Sequence, residues 1–236
     1  MKILHTSDWH VGRTIRGRSR AEEHRDVLAE IAGIAGRDAV DLILVAGDLF
    51  DVVTPSAESE QIVFRALLDL ADIAPVVVVA GNHDHPRRLE AVAPLLALGR
   101  VRVGAVLSRP DEGGVITVDT AAGQTARIAL VPFVGQRAIV SADDLMALDP
   151  DQHGGQYAGR LAAVIAKLTE GIALDQVNLV VAHLMVAGGT LGGGERPAHT
   201  IFDYAVKAQA FEGSLTYYAL GHLHRPLSVT AAAPVW

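Results

Sequence analysis

The sequence predicts an α/β fold with buried, parallel-type strands. Residues 42–46 and 76–80 are short runs of apolar side chains rich in branched residues, which are typical of strands buried on both faces of a sheet. Helix-spaced apolar residues occupy the segments beside these runs. Each run ends in Gly followed by a polar residue, and open α/β sheets hold their ligands at the carboxyl ends of their strands. We therefore expect a functional site at that edge.

Composition favours a single domain that spans residues 1–236. The chain is 50% hydrophobic and only 5% aromatic, which suits one well-packed core. No apolar run approaches the roughly eighteen residues of a membrane span, and the chain starts with a strand rather than a signal peptide. We therefore expect a cytoplasmic protein with no membrane partner.

Charge and cysteine usage restrict the chemistry further. The chain has no cysteine, which excludes disulfides and thiolate metal sites, so any metal must bind nitrogen and oxygen ligands. Ten histidines are available for this purpose. The net charge of −7 indicates that the surface as a whole is not a basic nucleic-acid-binding surface.

The first predicted strand, residues 2–6, runs into Asp8 and His10. These two residues share one face of an extended backbone and are suitable metal ligands, although a polar strand end is the simpler interpretation of the pair alone. The loop that follows, residues 12–20, has four arginines and no acid. It is either a phosphate-contacting loop or a solvated one.

Two helices flank the strand at 42–46, which ends in Gly47 and Asp48. The spacing of Ser19 and Glu22 predicts a capping box at the start of the first helix. Thr54 and Pro55 are predicted as the N-cap and first residue of the second. An apolar face on this second helix is expected to join the core, with a dimer contact as the alternative: Ile62, Val63, Ala66, Leu67 and Leu70.

The most specific local pattern follows the strand at 76–80 and reads Gly81-Asn82-His83-Asp84-His85. Asn82 offers a neutral oxygen ligand and His83 a titratable proton donor. Asp84 is placed to support these residues without binding the metal itself. The alternative is an ordinary polar turn.

The remaining elements are predicted in order. A helix is expected at 86–98, strands at 101–106 and 115–118 with a turn at 110–114 between them, a strand at 128–134 and a short helix at 143–148. Leu161, Val164, Ile165 and Leu168 indicate a longer helix. The glycine-rich loop 188–194 lacks the Gly-Lys-Ser/Thr of a P-loop, and we expect it to form a mobile rim of the site with His199 exposed beyond it.

Two further strands end in histidines. The strand at 177–182 ends at His183, which alone is more often a core residue than a ligand, and the strand at 216–220 ends in His222 and His224. Five strand ends therefore carry candidate site residues, with His83 as a proton donor and seven others as candidate metal ligands: Asp8, His10, Asp48, Asn82, His183, His222 and His224. This donor set suits two divalent ions such as Mn²⁺, Mg²⁺, Fe²⁺ or Zn²⁺. Two ions about 3.5–4 Å apart are the apparatus for in-line displacement at phosphorus.

The series of strand-end motifs resembles that of the calcineurin-like metallophosphoesterases: D-x-H, GD, GNHD, H and GHLH. Within that superfamily, the longer segments are similar to the SbcD family, the nuclease components of the bacterial SbcCD complex: HTSDWHVGRT, GDLFD, GNHDH and ALGHLHRP. The resemblance covers residues 1–226. It implies a four-layer sandwich in which two mixed β-sheets are flanked by helices.

The resemblance also implies a role for each matching position. One ion would be held by Asp8, His10, Asp48 and His224. The other would be held by Asp48, Asn82, His183 and His222, with Asp48 bridging the two. His83 would donate a proton to the leaving oxygen. Support outside the metal ligands is expected from Asp84 and Asp51, and phosphate contacts to DNA are expected from Arg13, Arg16 and Arg18.

The implied activity is that of a Mn²⁺-dependent DNA nuclease, with Mg²⁺, Fe²⁺ or Zn²⁺ as alternative ions. It would act as a 3′→5′ exonuclease on duplex ends and an endonuclease on single strands, in DNA repair and recombination with an SbcC-like ATPase subunit. A homodimer is expected through helices near 56–71 and 86–98. Two alternatives remain: an enzyme for small phosphodiesters such as cyclic nucleotides, and a DNA-end tethering scaffold with a structural metal site.

Two departures from the family pattern accompany this expectation. Asp51 stands where archaeal relatives have a histidine, which leaves the role of that position open. Family members also continue beyond the last motif into a cap domain and an ATPase-binding segment, so we expect this chain to be a truncated nuclease core.

Overall fold

The computed structural model describes residues 1–135, 138–139, 141, 146, 157–172, 176–187, 205–211, 215–225, 228–229, 231 and 234–236. The predicted helix at 143–148 (apart from Met146), the glycine-rich loop 188–194 and His199 lie outside the described residues. In chain order the elements are β1 (Ile3–Thr6), β2 (Thr14–Ile15), β3 (Arg18–Ser19), α1 (Ala21–Arg37), β4 (Leu42–Val45), α2 (Ala57–Ile73), β5 (Val76–Val79), α3 (Pro86–Leu98), β6 (Val101–Gly104), β7 (Val115–Asp119), β8 (Thr125–Val131), α4 (Tyr157–Leu168), β9 (Val177–His183), β10 (Met185–Val186), β11 (Ala205–Val206) and β12 (Tyr217–Gly221).

The first sheet has the strand order β1-β4-β5-β6, and all three pairings are parallel. Every residue of β4 and β5 is buried, as the continuous apolar runs predict for strands covered on both faces. Because the strands are parallel, their carboxyl ends lie at the same edge. The motifs after β1, β4 and β5 are thereby brought side by side.

The second sheet is mixed and has the strand order β12-β9-β8-β7. β12, β9 and β8 run parallel, whereas β7 pairs antiparallel with β8. The segments at 101–106 and 115–118 therefore do not face each other across a turn. The chain between them crosses from the first sheet to the second, through a short 3₁₀ helix at Pro110–Glu112.

The two sheets pack face to face and helices cover their outer faces. Between the sheets, Leu44 and Val79 belong to one apolar cluster with Leu130 and Val181. Helices α1, α2 and α3 cover the outer face of the first sheet, and α4 covers that of the second. The predicted α/β four-layer sandwich is confirmed, except that in the described residues the first sheet is parallel and only the second is mixed. Among the described helices, none is both long and apolar enough to cross a bilayer.

Two predicted helix starts are wrong, that of α1 by one residue and that of α2 by two. α1 begins at Ala21 behind Arg20, because Ser19 is part of β3, and the Ser19 hydroxyl only accepts the Ala21 N–H at 3.2 Å. α2 begins at Ala57, and Ser56 caps it by accepting the Ser59 N–H at 3.1 Å. Both serines supply the expected oxygen acceptor, but tertiary structure decides which residue occupies the cap position.

The apolar face of α2 belongs to the core of the protomer, as the first interpretation of that face predicts. Ile62, Val63, Ala66, Leu67 and Leu70 are all buried against the first sheet, together with Leu89 and Leu96 of α3. These side chains are not available to a partner. The exposed leucines of the same two helices are Leu68, Leu95 and Leu98, which are 40%, 69% and 86% exposed.

Candidate metal centre

All the predicted metal ligands lie together at the carboxyl edge of the two sheets. The first set lies on the ends of β1, β4 and β12. His10 Nε2 is 3.0 Å from His224 Nε2 and 3.7 Å from Asp48 Oδ2. Asp8 Oδ1 is 4.0 Å from His10 Nε2 and 3.7 Å from His224 Nε2.

The second set lies on the ends of β4, β5, β9 and β12. Asn82 Oδ1 is 2.9 Å from His183 Nε2 and 2.8 Å from His222 Nδ1, and these two nitrogens are 3.2 Å apart. Asp48 Oδ2 is 3.5 Å from His183 Nε2. The same Asp48 oxygen therefore faces His10 in the first set and His183 in the second.

The donor atoms fit divalent ions in chemistry and in spacing. The Ala46 carbonyl can only accept, so His183 Nδ1 donates to it at 2.7 Å, and in the neutral imidazole Nε2 keeps its lone pair. This lone pair faces the amide oxygen of Asn82, and two such acceptors repel each other without a cation between them. Ligand atoms at about 2.0–2.2 Å from one ion lie roughly 3–3.5 Å from each other, close to the separations in both sets.

Backbone strain is concentrated at the site. Seven described residues other than glycine have positive φ, and four of them are candidate ligands: Asp8 (55°), His10 (46°), Asp48 (52°) and His222 (100°). Such conformations cost of order 1–3 kcal/mol each and persist only where the surrounding structure enforces them. Here the Asp8 N–H donates to the Gly47 carbonyl and the His10 N–H to the Asp48 carbonyl, both at 3.0 Å. The two motifs are therefore held to each other through their backbones.

Three glycines allow the strand ends to approach each other this closely. A Cβ at Gly47 would collide with the His183 ring, and one at Gly81 would collide with Asp48. A Cβ at Gly221 would collide with the Ala46 carbonyl across the gap between the sheets. Packing thus requires each of these three glycines, and the positive φ of Gly47 (91°) favours glycine there as well.

His83 is buried beside the first set and is held at both its backbone and its ring. Its N–H donates to Asp48 Oδ1 at 2.7 Å, and its Nδ1 donates to the Asp51 carbonyl at 2.7 Å. These bonds direct Nε2 toward the centre, 4.0 Å from Asp48 Oδ2. The His83 ring packs edge-on against that of His10, with a centroid separation of 4.6 Å.

Asp84 and Asp51 lie behind the ligands. The Asp84 carboxylate accepts the N–H groups of Gly81, Phe50 and Leu49 at 2.8, 3.1 and 3.3 Å, and so connects the turns after β4 and β5. Burial, followed by the nearby Asp48 charge, raises the pKa of Asp84 to about 6 against the effect of these N–H donors. Asp51 Oδ1 is 3.6 Å from the buried Nδ1 of His10.

The electrostatics keep two of the candidate ligands, Asp48 and His10, in their metal-binding protonation states, whereas the pKa of His183 is raised because burial, which alone would lower it, is outweighed by the charges of Asp48 and Asp8. Burial alone would raise the pKa of Asp48, but His183, the His83 N–H and the other nearby imidazoles outweigh it, so that this pKa is lowered and Asp48 is ionised. Burial also lowers the pKa of His10 to about 4, against the attraction of Asp48. His10 is therefore neutral at pH 7, as a metal ligand must be.

Phe133 packs against two of the candidate ligands, and no sequence pattern indicated it. Its ring stacks on His222 at a centroid distance of 6.2 Å and 19°, and meets His183 edge-on at 6.3 Å. The Phe133 N–H also donates to the Ala80 carbonyl at 2.9 Å. Phe133 lies two residues beyond β8, at the same edge as the motifs. Only this position just after a strand could have indicated from the sequence that Phe133 lies at the site.

The predicted phosphate-contacting arginines lie on and beside a small hairpin. β2 and β3 pair antiparallel, with Arg16 (φ 50°) and Gly17 (φ 75°) at the tip. Arg16 and Arg18 are exposed, whereas Arg13 is half-buried and lines a cavity that opens beside Asp8 and His10.

Comparison with known proteins gives a consistent result. The family model for calcineurin-like phosphoesterases matches residues 1–226. The chain is 34% identical over 236 residues to the SbcD component of the SbcCD nuclease of Bacillus subtilis (strain 168), covering 98% of this chain and 59% of that protein. It is 37% identical over 245 residues to the SbcD component of the SbcCD nuclease of Rhodobacter capsulatus, covering 97% of this chain and 59% of the relative. The chain thus spans less than two thirds of the length of these relatives.

Proposed function

The chain belongs to the calcineurin-like phosphoesterase family, and from this premise we propose that it is a metal-dependent nuclease that hydrolyses DNA phosphodiester bonds. We propose 3′→5′ exonuclease action on duplex ends and endonuclease action on single strands, in DNA repair and recombination with an SbcC-like ATPase. Similarity over nearly the whole chain to proteins named as components of the SbcCD nuclease supports this choice of substrate and partner.

One observation carries the proposal: seven nitrogen and oxygen ligands form two sets that share Asp48. The shared oxygen lies 3.7 Å from His10 Nε2 and 3.5 Å from His183 Nε2, which suits a carboxylate that bridges two ions. Two bound divalent ions would supply charge that stabilises the phosphoryl oxygens and a lowered pKa for an attacking water. We propose Mn²⁺ as the ion, since oxygen and imidazole donors suit it, as they also suit Mg²⁺, Fe²⁺ and Zn²⁺.

We propose that His83 supplies the proton to the leaving group. In the reaction a water oxygen forms a bond to phosphorus, the bond from phosphorus to the leaving oxygen breaks, and that oxygen takes a proton. When His83 is protonated, Nδ1–H stays bonded to the Asp51 carbonyl and Nε2–H faces the centre. Asp51 and Asp84 would then act by orienting His83, His10 and the turns that carry them.

We also propose a two-fold dimer through α2 and α3, with revised contact residues. Leu68, Leu95 and Leu98 are the exposed leucines of these helices, whereas the face first predicted to pair is buried in the core. Leu95 and Leu98 are three residues apart and therefore neighbours on the helix surface.

End-labelled duplex and single-stranded DNA, incubated with Mn²⁺, Mg²⁺ or a chelator, would test the proposed function. We expect metal-dependent cleavage that is lost in Asp48→Asn protein purified in parallel, which controls for contaminating nucleases. Hydrolysis of a cyclic nucleotide without cleavage of DNA would instead indicate an enzyme for small phosphodiesters. DNA binding without hydrolysis of DNA or of bis-nitrophenyl phosphate would indicate a tethering scaffold.

A further inference from the structure

Phe133 is held in place through its own backbone and through that of its neighbour. Its N–H donates to the carbonyl of Ala80 at 2.9 Å, which joins the segment after β8 in the second sheet to the segment after β5 in the first. The carbonyl of Val134 accepts the hydroxyl proton of Tyr157 at 2.7 Å, and Tyr157 is buried at the start of α4. The backbone that carries the Phe133 ring is therefore fixed to two separate elements.

The Phe133 ring contacts both histidines that offer nitrogen donors to the second ligand set. It lies nearly parallel to the His222 ring, at 19° and a centroid distance of 6.2 Å, and meets the His183 ring edge-on at 6.3 Å. These separations are within the range of favourable aromatic pairs. His183 Nε2 and His222 Nδ1 both face Asn82 Oδ1, at 2.9 and 2.8 Å, so the position of each ring decides the geometry of the second set.

The orientation of an imidazole depends on a soft torsion. Rotation about the Cβ–Cγ bond of histidine has broad minima, and this rotation moves the ligand nitrogen. In His183 the hydrogen bond from Nδ1 to the Ala46 carbonyl restrains the rotation. In His222 Nδ1 is the atom that faces the site, so that nitrogen cannot serve as an anchor in the same way. A flat ring stacked on His222 restricts the rotation, because turning the imidazole out of its plane drives its edge against the stacked face.

The first ligand set is supported by other groups. The His10 ring packs edge-on against those of His83 and His224, with centroid separations of 4.6 and 4.7 Å. The Asp51 carboxylate lies 3.6 Å from Nδ1 of His10. The ring contacts of Phe133 described above, by contrast, are made with the second set. A change at Phe133 should therefore affect the two sets unequally.

We propose that Phe133 is a positioning residue for the second ion, which holds the imidazoles of His183 and His222 in their metal-binding orientation. The inference rests on the proposed function and deepens it, because it makes the two ions depend on different supporting groups. Phe133 offers no ligand atom, so its replacement lowers affinity without removing a ligand. Because outer partners of metal ligands contribute ~10–100-fold to affinity, we expect Phe133→Leu to weaken binding of the second ion by about tenfold and to leave the first unchanged.

A double-mutant cycle assigns the loss to one ion. Calorimetry of the whole chain with Mn²⁺ and without DNA measures metal affinity rather than activity. In a His10→Ala background, which lacks a ligand of the first set, Phe133→Leu should lower the affinity of the remaining ion by about tenfold. In a His222→Ala background, which lacks a ligand of the second set, the same change should have little effect, because no coupling is expected between groups that share no contact.

Two further variants separate the aromatic contact from general packing. Phe133→Tyr retains the ring and should bind both ions as the unmodified chain does. Phe64→Leu is the matched control, because Phe64 is also half-buried but its ring packs edge-on against Phe50, at a centroid distance of 6.1 Å. Phe64→Leu should therefore leave the affinity for both ions unchanged. Urea denaturation of each variant shows whether it is folded under the conditions of the titration.

A second measurement requires no metal. In chelator-treated protein with ¹³C-labelled histidine, relaxation dispersion reports motion of the rings on the microsecond-to-millisecond timescale. We expect Phe133→Leu to increase exchange broadening for His183 and His222 and to leave that of His10 unchanged.

Equal losses of Mn²⁺ affinity in the two backgrounds would overturn the positioning role, since Phe133 would then support only the fold. Unchanged motion of the His183 and His222 rings in Phe133→Leu would overturn it as well. If the unmodified chain binds fewer than two ions, the proposed two-ion function fails, and the metal-free measurement still decides whether Phe133 positions the two rings.

Discussion

Asp48 is the residue that the two candidate ligand sets share. Its Oδ2 faces both sets, and its Oδ1 accepts the His83 N–H. Asp48→Asn removes the charge that both ions would share, so we expect Mn²⁺ affinity to fall by more than the ~10–100-fold typical of losing an outer partner. Metal analysis after dialysis should find fewer than two ions per chain. Asp72→Asn, an exposed change on α2, should retain both, and two ions in the Asp48 variant would contradict the bridge.

His83 is expected to act in proton transfer rather than in metal binding. His83→Ala should keep the metal content and lower kcat on DNA by ~10²–10⁴-fold, the usual contribution of a general acid. The defect should shrink on bis-nitrophenyl phosphate, because nitrophenolate leaves without a proton.

A nearby histidine provides the control for that prediction. His85 is exposed and its side chain makes no capping hydrogen bond to α3, so His85→Ala should leave both rates unchanged. Equal losses on the two substrates in His83→Ala, or a loss of metal, would indicate that His83 binds metal or substrate instead.

At the level of single residues, the sequence predicted the side chains of the candidate site but not the backbone groups that orient them. The ligands follow buried strands directly, so their positions could be read from the pattern of apolar runs and polar ends. The carbonyl groups of Ala46 and Asp51, which orient His183 and His83, carry no residue-type signal. Phe133 contacts its histidines across strands that are distant in sequence, which no local pattern reports.

Among the elements, the close approach of β4 and β12 is the feature most sensitive to substitution. Gly221→Ala would place a Cβ against the Ala46 carbonyl. This carbonyl belongs to the backbone, so it cannot move aside as the end of a flexible side chain can. We expect a loss of about 1–3 kcal/mol in the free energy of unfolding, the usual cost of overpacking, measured by urea denaturation. Gly135→Ala is the control, since nothing lies within 4 Å of its Cβ position. Unchanged stability of the Gly221 variant would show that the sheets can separate at this edge.

The prediction of elements succeeded for the longer buried strands and failed at boundaries and for the two-residue strands β2, β3, β10 and β11. The runs that form β4 and β5 are apolar on both faces. An apolar run of this short length has few structural alternatives to a buried strand. The capping residue of α2 was misplaced because Thr54 and Ser56 both offer an oxygen at its start, and that of α1 because Ser19 is part of β3. The partners of β6 and β7 were unpredictable, since a turn sequence does not reveal whether the chain pairs with itself or crosses to another sheet.

For the whole molecule, the exposed leucines of α2 and α3 predict self-association. Leu98→Asp should convert a dimer into a monomer in light scattering while leaving the unfolding midpoint nearly unchanged, because Leu98 is 86% exposed and contributes little to the core. Val27→Asp on α1, where Val27 is 54% exposed, is the matched control and should remain dimeric. A wild-type chain that is monomeric at high concentration would refute the dimer.

If the chain binds DNA as proposed, its charge distribution would determine which part of the surface makes the contact. The chain has 20 basic and 27 acidic residues, so most of its surface repels a phosphate backbone. The hairpin of β2 and β3 is an exception, because Arg16 and Arg18 are exposed on it and Arg13 lies just before it. Affinity for DNA should therefore depend on a few contacts near the site.

A small number of phosphate contacts gives a specific salt dependence. With contacts from Arg13, Arg16 and Arg18, the logarithm of the duplex affinity should fall with the logarithm of salt concentration with a slope of roughly −3, and that of single strands with a slope of about −2. Arg18→Gln should reduce the duplex slope by about 1, whereas Arg102→Gln should not change it. Filter binding in Ca²⁺ over a range of salt concentrations measures both slopes. A slope unaffected by Arg18→Gln would mean that the DNA is held by a different surface, and the hairpin would then be only a solvated loop.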